Sequence, residues 1–316
     1  MSKRVICCVI LLINLSASAQ QTIKIWDETG MTRKQKWSEL SVFLPEKPDT
    51  SDISVIICPG GSYYWLDMKN EGFSVAKYLN QHGITAFVLK YRTAKRGNHH
   101  PAMIEDLERA MQLVKENSTE YDIHPEKIGV MGFSAGGHLA GTLAIYFDMR
   151  FSDMGYETSD LRYETLDNPT SHISQSHIIP KPYFAAMIYP VVSMEDSIVH
   201  KKSRRNLLGK NYSDELKQMM SLEKNVHANM PPVFLMHCTG DKTVNFRNSA
   251  VLSKALTEKE IKHKFLLFEE TRRGGHGFGI QPNGKATGWI DEFLKWLISN
   301  ESHKLTQNKI SKNQSN

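Results

Sequence analysis

Short, continuously apolar runs rich in β-branched residues alternate along this chain with longer segments whose apolar residues recur at helical spacing. The strands read from them are Ile53 to Cys58, a continuous apolar run, and Ile84 to Leu89, Lys127 to Phe133, Phe184 to Tyr189 and Val233 to His237. An early strand is read over Ser41 to Leu44, ended by Pro45, and an extended segment over Lys264 to Phe268. Strands apolar on every residue are buried on both faces. Their alternation with helices predicts an α/β fold, a mostly parallel central sheet with helices on both faces. Helices are predicted over Phe73 to Asn80, from Pro101 (Met103, Leu107, Ala110, Met111 and Val114 on one face), over Ala135 to Phe147, Ala250 to Leu256 and Trp289 to Ile298. Residues 148–182 are polar and too long for a simple connection, which reads as an insertion over the site or a loop.

The strand–turn–helix at 128–147 carries the chemistry. Gly132-Phe133-Ser134-Ala135-Gly136 matches G-x-S-x-G, with a strand before it and a helix after it, the context a nucleophile elbow requires. A serine hydroxyl is a poor nucleophile without a base and a group that orients the base. The expected chain order is serine, acid, histidine. Asp241 follows the strand ending at His237, at the edge where α/β sheets place their sites. His276 stands in the glycine-rich Gly274-Gly275-His276-Gly277-Phe278-Gly279 after the last core strand. Glu269, Glu270 and Asp196 are the rival acids. Among thirteen histidines, His237 reads as a buried strand-end residue, His138 as a packing residue of the elbow helix, and His99 and His100 as cleft-lining or solvated.

A tetrahedral intermediate needs two N–H donors aimed at its oxyanion. Ala135, next to the serine, supplies one. For the other, Cys58-Pro59-Gly60-Gly61-Ser62-Tyr63 follows an apolar strand; beside the elbow it reads as the second arm, with Gly61 as donor and Ser62 next. Tyr63, Tyr64 and Trp65 continue this loop, either to stack on a sugar or to enter the core; Tyr63 and Trp65 are carried forward as substrate contacts.

Residues 1–20, MSKRVICCVILLINLSASAQ, have a basic start (Lys3, Arg4), an apolar run and the small residues Ala17-Ser18-Ala19. This reads as a secretory signal peptide over 1–19, leaving 20–299 as one catalytic domain and 300–316 as a polar tail. The run is about eleven residues where about twenty are needed to span a bilayer. A secreted or periplasmic location is expected. Of four cysteines, Cys58 and Cys238 then remain, and both a disulfide and two buried thiols stay open. No cysteine or histidine spacing suits zinc. The +5 net charge, spread along the chain, gives no argument for nucleic acid or an anionic membrane as partner.

The stretches CPGGSY (58–63), YR (91–92), HHPAMIEDLERA (99–110), IGVMGFSAGGHLA (128–140), YPVVSM (189–194), LLG (207–209), PPVFLMHCTGDKTV (231–244) and GGHGFG (274–279) resemble the α/β-hydrolases of the esterase/lipase group. More narrowly they resemble its secreted bacterial acetyl-xylan-esterase-like (BD-FAE-like) branch. Relatives commonly carry HGGG; here Pro59 replaces the histidine and Ser62 the last glycine, and Gly240-Asp241 stands where relatives often have Asp-Asp. The resemblance implies a serine esterase with Ser134, His276 and Asp241 as its triad and no metal or organic cofactor. It implies a small acyl ester, such as acetyl on xylan, as substrate, with a feruloyl ester as a close alternative. A peptidase or amidase of the same architecture and a non-catalytic carbohydrate-binding protein are the rivals. It also places the two cysteine strands apart, against a disulfide.

Overall fold

The computed structural model describes residues 21–26, 35–48, 52–147, 180–269 and 275–300. The signal-peptide segment, most of the 148–182 stretch, Glu270, Gly274 and the tail beyond 300 lie outside the described residues. Eight strands form one sheet: β1 (Gln21–Lys24), β2 (Glu39–Phe43), β3 (Ser54–Cys58), β4 (Thr85–Lys90), β5 (Ile128–Phe133), β6 (Ala185–Ile188), β7 (Val233–Cys238) and β8 (His263–Phe268). Their order is β1-β2-β4-β3-β5-β6-β7-β8. The two pairings β1–β2 and β2–β4 are antiparallel. Every pairing from β4 through β3 to β8 is parallel.

Side chains alternate across each strand, so each one feeds two cores. On one face Ile56, Phe87, Val130, Met187 and Leu235 pack against α2 (Ala102–Glu116), α3 (Ala135–Tyr146) and α6 (Arg247–Glu258). On the other, Ile57, Val88, Met131, Ile188 and Phe234 pack against α1 (Ser74–Gln81) and a helix over 289–300 (α7). The apolar face expected for α2 is the buried one. All twelve residues of α3 are buried, so this helix is covered on every side. The expected α/β architecture stands. Three elements add to it: β1, α4 (Lys201–Leu208) and α5 (Asp214–Met219). Among the described residues no helix is long and apolar enough to cross a membrane.

A buried ion pair ties the antiparallel edge to α2. Asp106 accepts from Arg92 N (2.7 Å) and Nε (2.9 Å), from Trp26 Nε1 (2.7 Å) and from Ser38 Oγ (2.7 Å). Removing one partner of such a pair leaves a buried charge uncompensated, at a cost of about 3–5 kcal/mol. Cys58 and Cys238 are buried free thiols. β5 and β6 lie between their strands in the sheet, so the two-thiol alternative holds.

Candidate active site

The site lies beyond the C-terminal ends of β3, β5, β6, β7 and β8, where the parallel strands hand over to loops. β5 ends at Phe133, Ser134 takes φ 53° and ψ −117°, and α3 begins at Ala135. A left-handed φ is uncommon for a residue with a Cβ and marks a site whose surroundings enforce it. Here the flanking glycines let backbones meet. A Cβ on Gly132 would lie 1.9 Å from Gly136 O, and one on Gly136 would lie 2.0 Å from Cys58 O. The elbow therefore closes on itself and against the end of β3 by main-chain contact.

His276 connects the serine to the acid. Its Nε2 lies 2.9 Å from Ser134 Oγ and its Nδ1 2.7 Å from Asp241 Oδ2. A carboxylate oxygen only accepts, so Nδ1–H donates to Asp241, and in the neutral ring Nε2 accepts from the serine hydroxyl. Asp241 Oδ1 accepts from the N–H groups of Thr243 (2.8 Å) and Val244 (2.9 Å). Burial pushes the Asp241 carboxyl up, but hydrogen bonds from His237 and His276 outweigh it, and the net position is below the usual value. Of the rival acids, Asp196 is exposed and paired with Arg204 (2.6 Å), and Glu269 is exposed.

Beyond its reading as a buried strand-end residue, His237 holds the acid in place. Its Nε2 faces Asp241 Oδ2 at 3.2 Å and Val244 O at 3.0 Å, both acceptors, so Nε2 carries the proton. Its Nδ1 accepts from Ser249 Oγ of α6 at 2.7 Å. The sequence signal is the four-residue spacing from a strand-end histidine to the acid, which has meaning only once the turn between them is known.

The loop at 59–65 is held from several sides. Tyr91 OH donates to Pro59 O (2.7 Å), Asn206 Nδ2 of α4 to Ser62 O (2.8 Å), and Ala94 N to Tyr63 O (2.9 Å). Gly60 N donates to Glu71 Oε2 (2.8 Å). Gly61 has φ 136°, and Ser62 and Tyr63 follow with φ 58° and 59°, a tight left-handed turn. The N–H groups of Gly61 and Ala135 donate to no acceptor among the described residues.

The structure corrects one substrate contact. Tyr63 is fully buried, with its hydroxyl 2.8 Å from His138 Nδ1 while His138 Nε2 donates to Met220 O at 2.8 Å. The left-handed turn points it into the core, where it pairs a histidine that burial holds at about 4. Tyr64 and Trp65 are exposed, at 42% and 49%, and Trp65 stays a candidate contact. Burial pushes the imidazole of His200, just before α4, down, and a charge on His276 acts in the same direction.

Two further residues reach the centre without having been singled out in the sequence. Tyr189, after β6, lays its ring 4.7 Å from that of His276, and its hydroxyl donates to Glu71 Oε1 (2.8 Å). Gly279 N in turn donates to the Tyr189 oxygen (2.9 Å).

Residues 40–256 match the BD-FAE family. The chain belongs to the BD-FAE family. Its fold is that of the α/β-hydrolases. The BD-FAE match spans the elbow, the 59–65 loop and Asp241, and stops before His276. The chain is 32% identical over 237 residues to endo-1,4-beta-xylanase B of Butyrivibrio fibrisolvens, covering 74% of this chain and 34% of that protein. It is 27% identical over 270 residues to the acetylxylan esterase of Xylanibacter ruminicola, covering 83% and 48%. It thus spans about a third to a half of these curated relatives (34% and 48%). A solved acetyl ester-xyloside bifunctional hydrolase from Caldicellulosiruptor lactoaceticus superposes with a TM-score of 0.69 at 26% identity, covering 91% of this chain and 97% of that one.

Proposed function

We propose that this BD-FAE member is a secreted serine esterase that removes short acyl groups, acetyl first, from a plant polysaccharide such as xylan. The hydrogen-bonded chain Asp241–His276–Ser134 at the elbow is the observation that carries this reading. Ser134 Oγ attacks the ester carbonyl as its proton passes to His276 Nε2. Asp241 holds the ring in the required tautomer and balances the imidazolium. The oxyanion takes hydrogen bonds from Gly61 N–H and Ala135 N–H, with Ser62 N–H next to them. His276 gives its proton to the departing sugar oxygen. Water, deprotonated by the same nitrogen, then releases acetate and restores the serine hydroxyl. Support for acetyl on xylan comes from the names carried by the relatives, and support for export from residues 1–20.

The test is acetate release from acetylated xylan by the protein and by Ser134→Ala. The variant is expected to lose at least about 10³-fold in kcat, as serine triads do. Activity within tenfold of the parent would overturn the assignment of Ser134. Cleavage of aryl acetates but not of acetylated xylan would leave the esterase and overturn the polysaccharide; cleavage of feruloyl esters in its place would change the acyl group.

A further inference from the structure

Glu71 is a carboxylic side chain buried to 3% exposure, and its partners among the described residues are Gly60 N and Tyr189 OH, with no lysine or arginine. It stands in the six-residue turn Met68–Phe73, whose wide π geometry aims it inward beneath the 59–65 loop. Burying an unpaired carboxylate is costly. Both of its oxygens are used. Oε2 accepts from Gly60 N at 2.8 Å, and Oε1 from Tyr189 OH at 2.8 Å. Through Tyr189 the link continues to Gly279 N and to the His276 ring, tilted against it at 4.7 Å between centroids. Tyr189 itself sits at φ 37°, a strained value for a bulky residue. One carboxylate thus joins the loop after β3, the loop after β6 and the loop that carries His276. The titratable groups around it are Tyr189, Tyr91, Asp67 and His276. Of these, His276 alone takes a positive charge.

We propose that Glu71 is a positioning residue for the reaction: its carboxylate sets the Gly60–Gly61 arm against the His276 loop, and its charge favours the imidazolium that His276 becomes in the transition state. Glutamine, neutral and of the same shape, can accept from Gly60 N–H through its oxygen and donate to the Tyr189 oxygen through its amide N–H, but it lacks the charge, and that difference makes the idea testable. The proposal rests on the triad reading above. Burial pushes the Glu71 carboxyl up to about 7, against the Tyr189 hydrogen bond, the His276 charge and the Gly60 N–H, which pull it down. The carboxylate is therefore the main form at pH 8 and is lost as the pH falls through 7.

The experiment measures kcat and KM for 4-nitrophenyl acetate across the acid limb and up to alkaline pH for the parent, Glu71→Gln, Tyr189→Phe and Ser134→Ala. Glu71→Gln is expected to lower kcat at alkaline pH about tenfold or more, with KM within about twofold, as for an interaction made only in the transition state. Its acid limb is expected to move to lower pH, because the negative charge that favours the imidazolium is gone. Tyr189→Phe keeps the charge but withdraws a donor from it, so its limb is expected to move to higher pH. A purely structural carboxylate would not move the two limbs in opposite directions. A folded Glu71→Gln with kcat within about twofold of the parent and an unmoved limb would overturn the proposal. Should Glu71→Gln fail to fold, an unmoved limb and unchanged kcat in Tyr189→Phe would do so. Retained activity in Ser134→Ala would fell the triad reading, and this proposal with it; an inactive Ser134→Ala beside a parent-like Glu71→Gln would fell this proposal alone.

Discussion

Replacing Glu71 by glutamine is expected to make the protein more stable at alkaline pH, and the gain can be worked out from burial. The carboxyl rises from an ordinary 4.5 to about 7 in the folded chain. Between those values the folded protein holds a proton that the unfolded chain has already released. A state that binds more protons loses ground as pH rises. The parent's stability therefore falls from pH 4.5 to pH 7 through this group alone, and is flat beyond. At about 1.4 kcal/mol for each tenfold change in proton affinity, the loss reaches about 3 kcal/mol. Glutamine resembles the protonated carboxyl and has no such loss. The variant should match the parent near pH 4.5 and exceed it by up to about 3 kcal/mol at pH 8, roughly 6–12 °C in Tm for a domain of this size. Differential scanning calorimetry of both proteins at pH 5 and pH 8, at one ionic strength, reads this directly. A variant less stable than the parent at pH 8, or a gap equal at both pH values, would refute the reasoning. The gain would come from a carboxylate kept at a cost because the site uses it.

Other outcomes follow from single contacts. Tyr63→Phe should lower stability by about 1–2 kcal/mol, since it takes the tyrosine hydroxyl from His138 Nδ1 in the core, and should leave KM for acetylated xylo-oligosaccharides unchanged; a raised KM with an unaltered Tm would restore Tyr63 as a substrate contact. Gly60→Ala places a Cβ 2.6 Å from Glu71 Oε2, 2.7 Å from Phe133 O and 2.9 Å from Ser134 Cβ. It should fold yet lose about 10²-fold in kcat on aryl acetates, because displacement at the reacting centre is so costly. Trp65→Ala should raise KM severalfold for acetylated xylo-oligosaccharides and leave 4-nitrophenyl acetate unaffected; equal effects on both would remove Trp65 from the sugar site.

The parallel strands were legible because both their faces are buried, which makes them continuously apolar. β1 (QTIK) escaped notice as a four-residue edge strand with three exposed residues. α4 (KKSRRNLL) escaped because only Ser203, Leu207 and Leu208 of it are buried, too few for a helical stripe. In the candidate site, Ser134, Asp241 and His276 announced themselves through glycines and strand ends. Glu71, Tyr189 and His237 did not, because each acts through a partner more than a hundred positions away or across a turn: Glu71 and Tyr189 are 118 residues apart. Tyr63 shows the reverse. Its neighbours Tyr64 and Trp65 are exposed while Tyr63 is buried, and no spacing in the sequence reports the left-handed turn at Ser62 and Tyr63.

The contact of Gly136 with Cys58 O, and of Gly132 with Gly136 O, bears on how the protein meets heat. Elsewhere in a core, side chains hop between rotamers well before the chain melts, and centres aligned by such packing soften gradually on warming. Here a side chain on either glycine would collide with a peptide oxygen, so the elbow and the strand that feeds the Gly61 loop meet through main chain, with no rotamer in between. That contact has no intermediate setting. Catalytic competence should hold almost to the melting transition and then end with it, so that the thermal inactivation curve and the unfolding curve fall on each other.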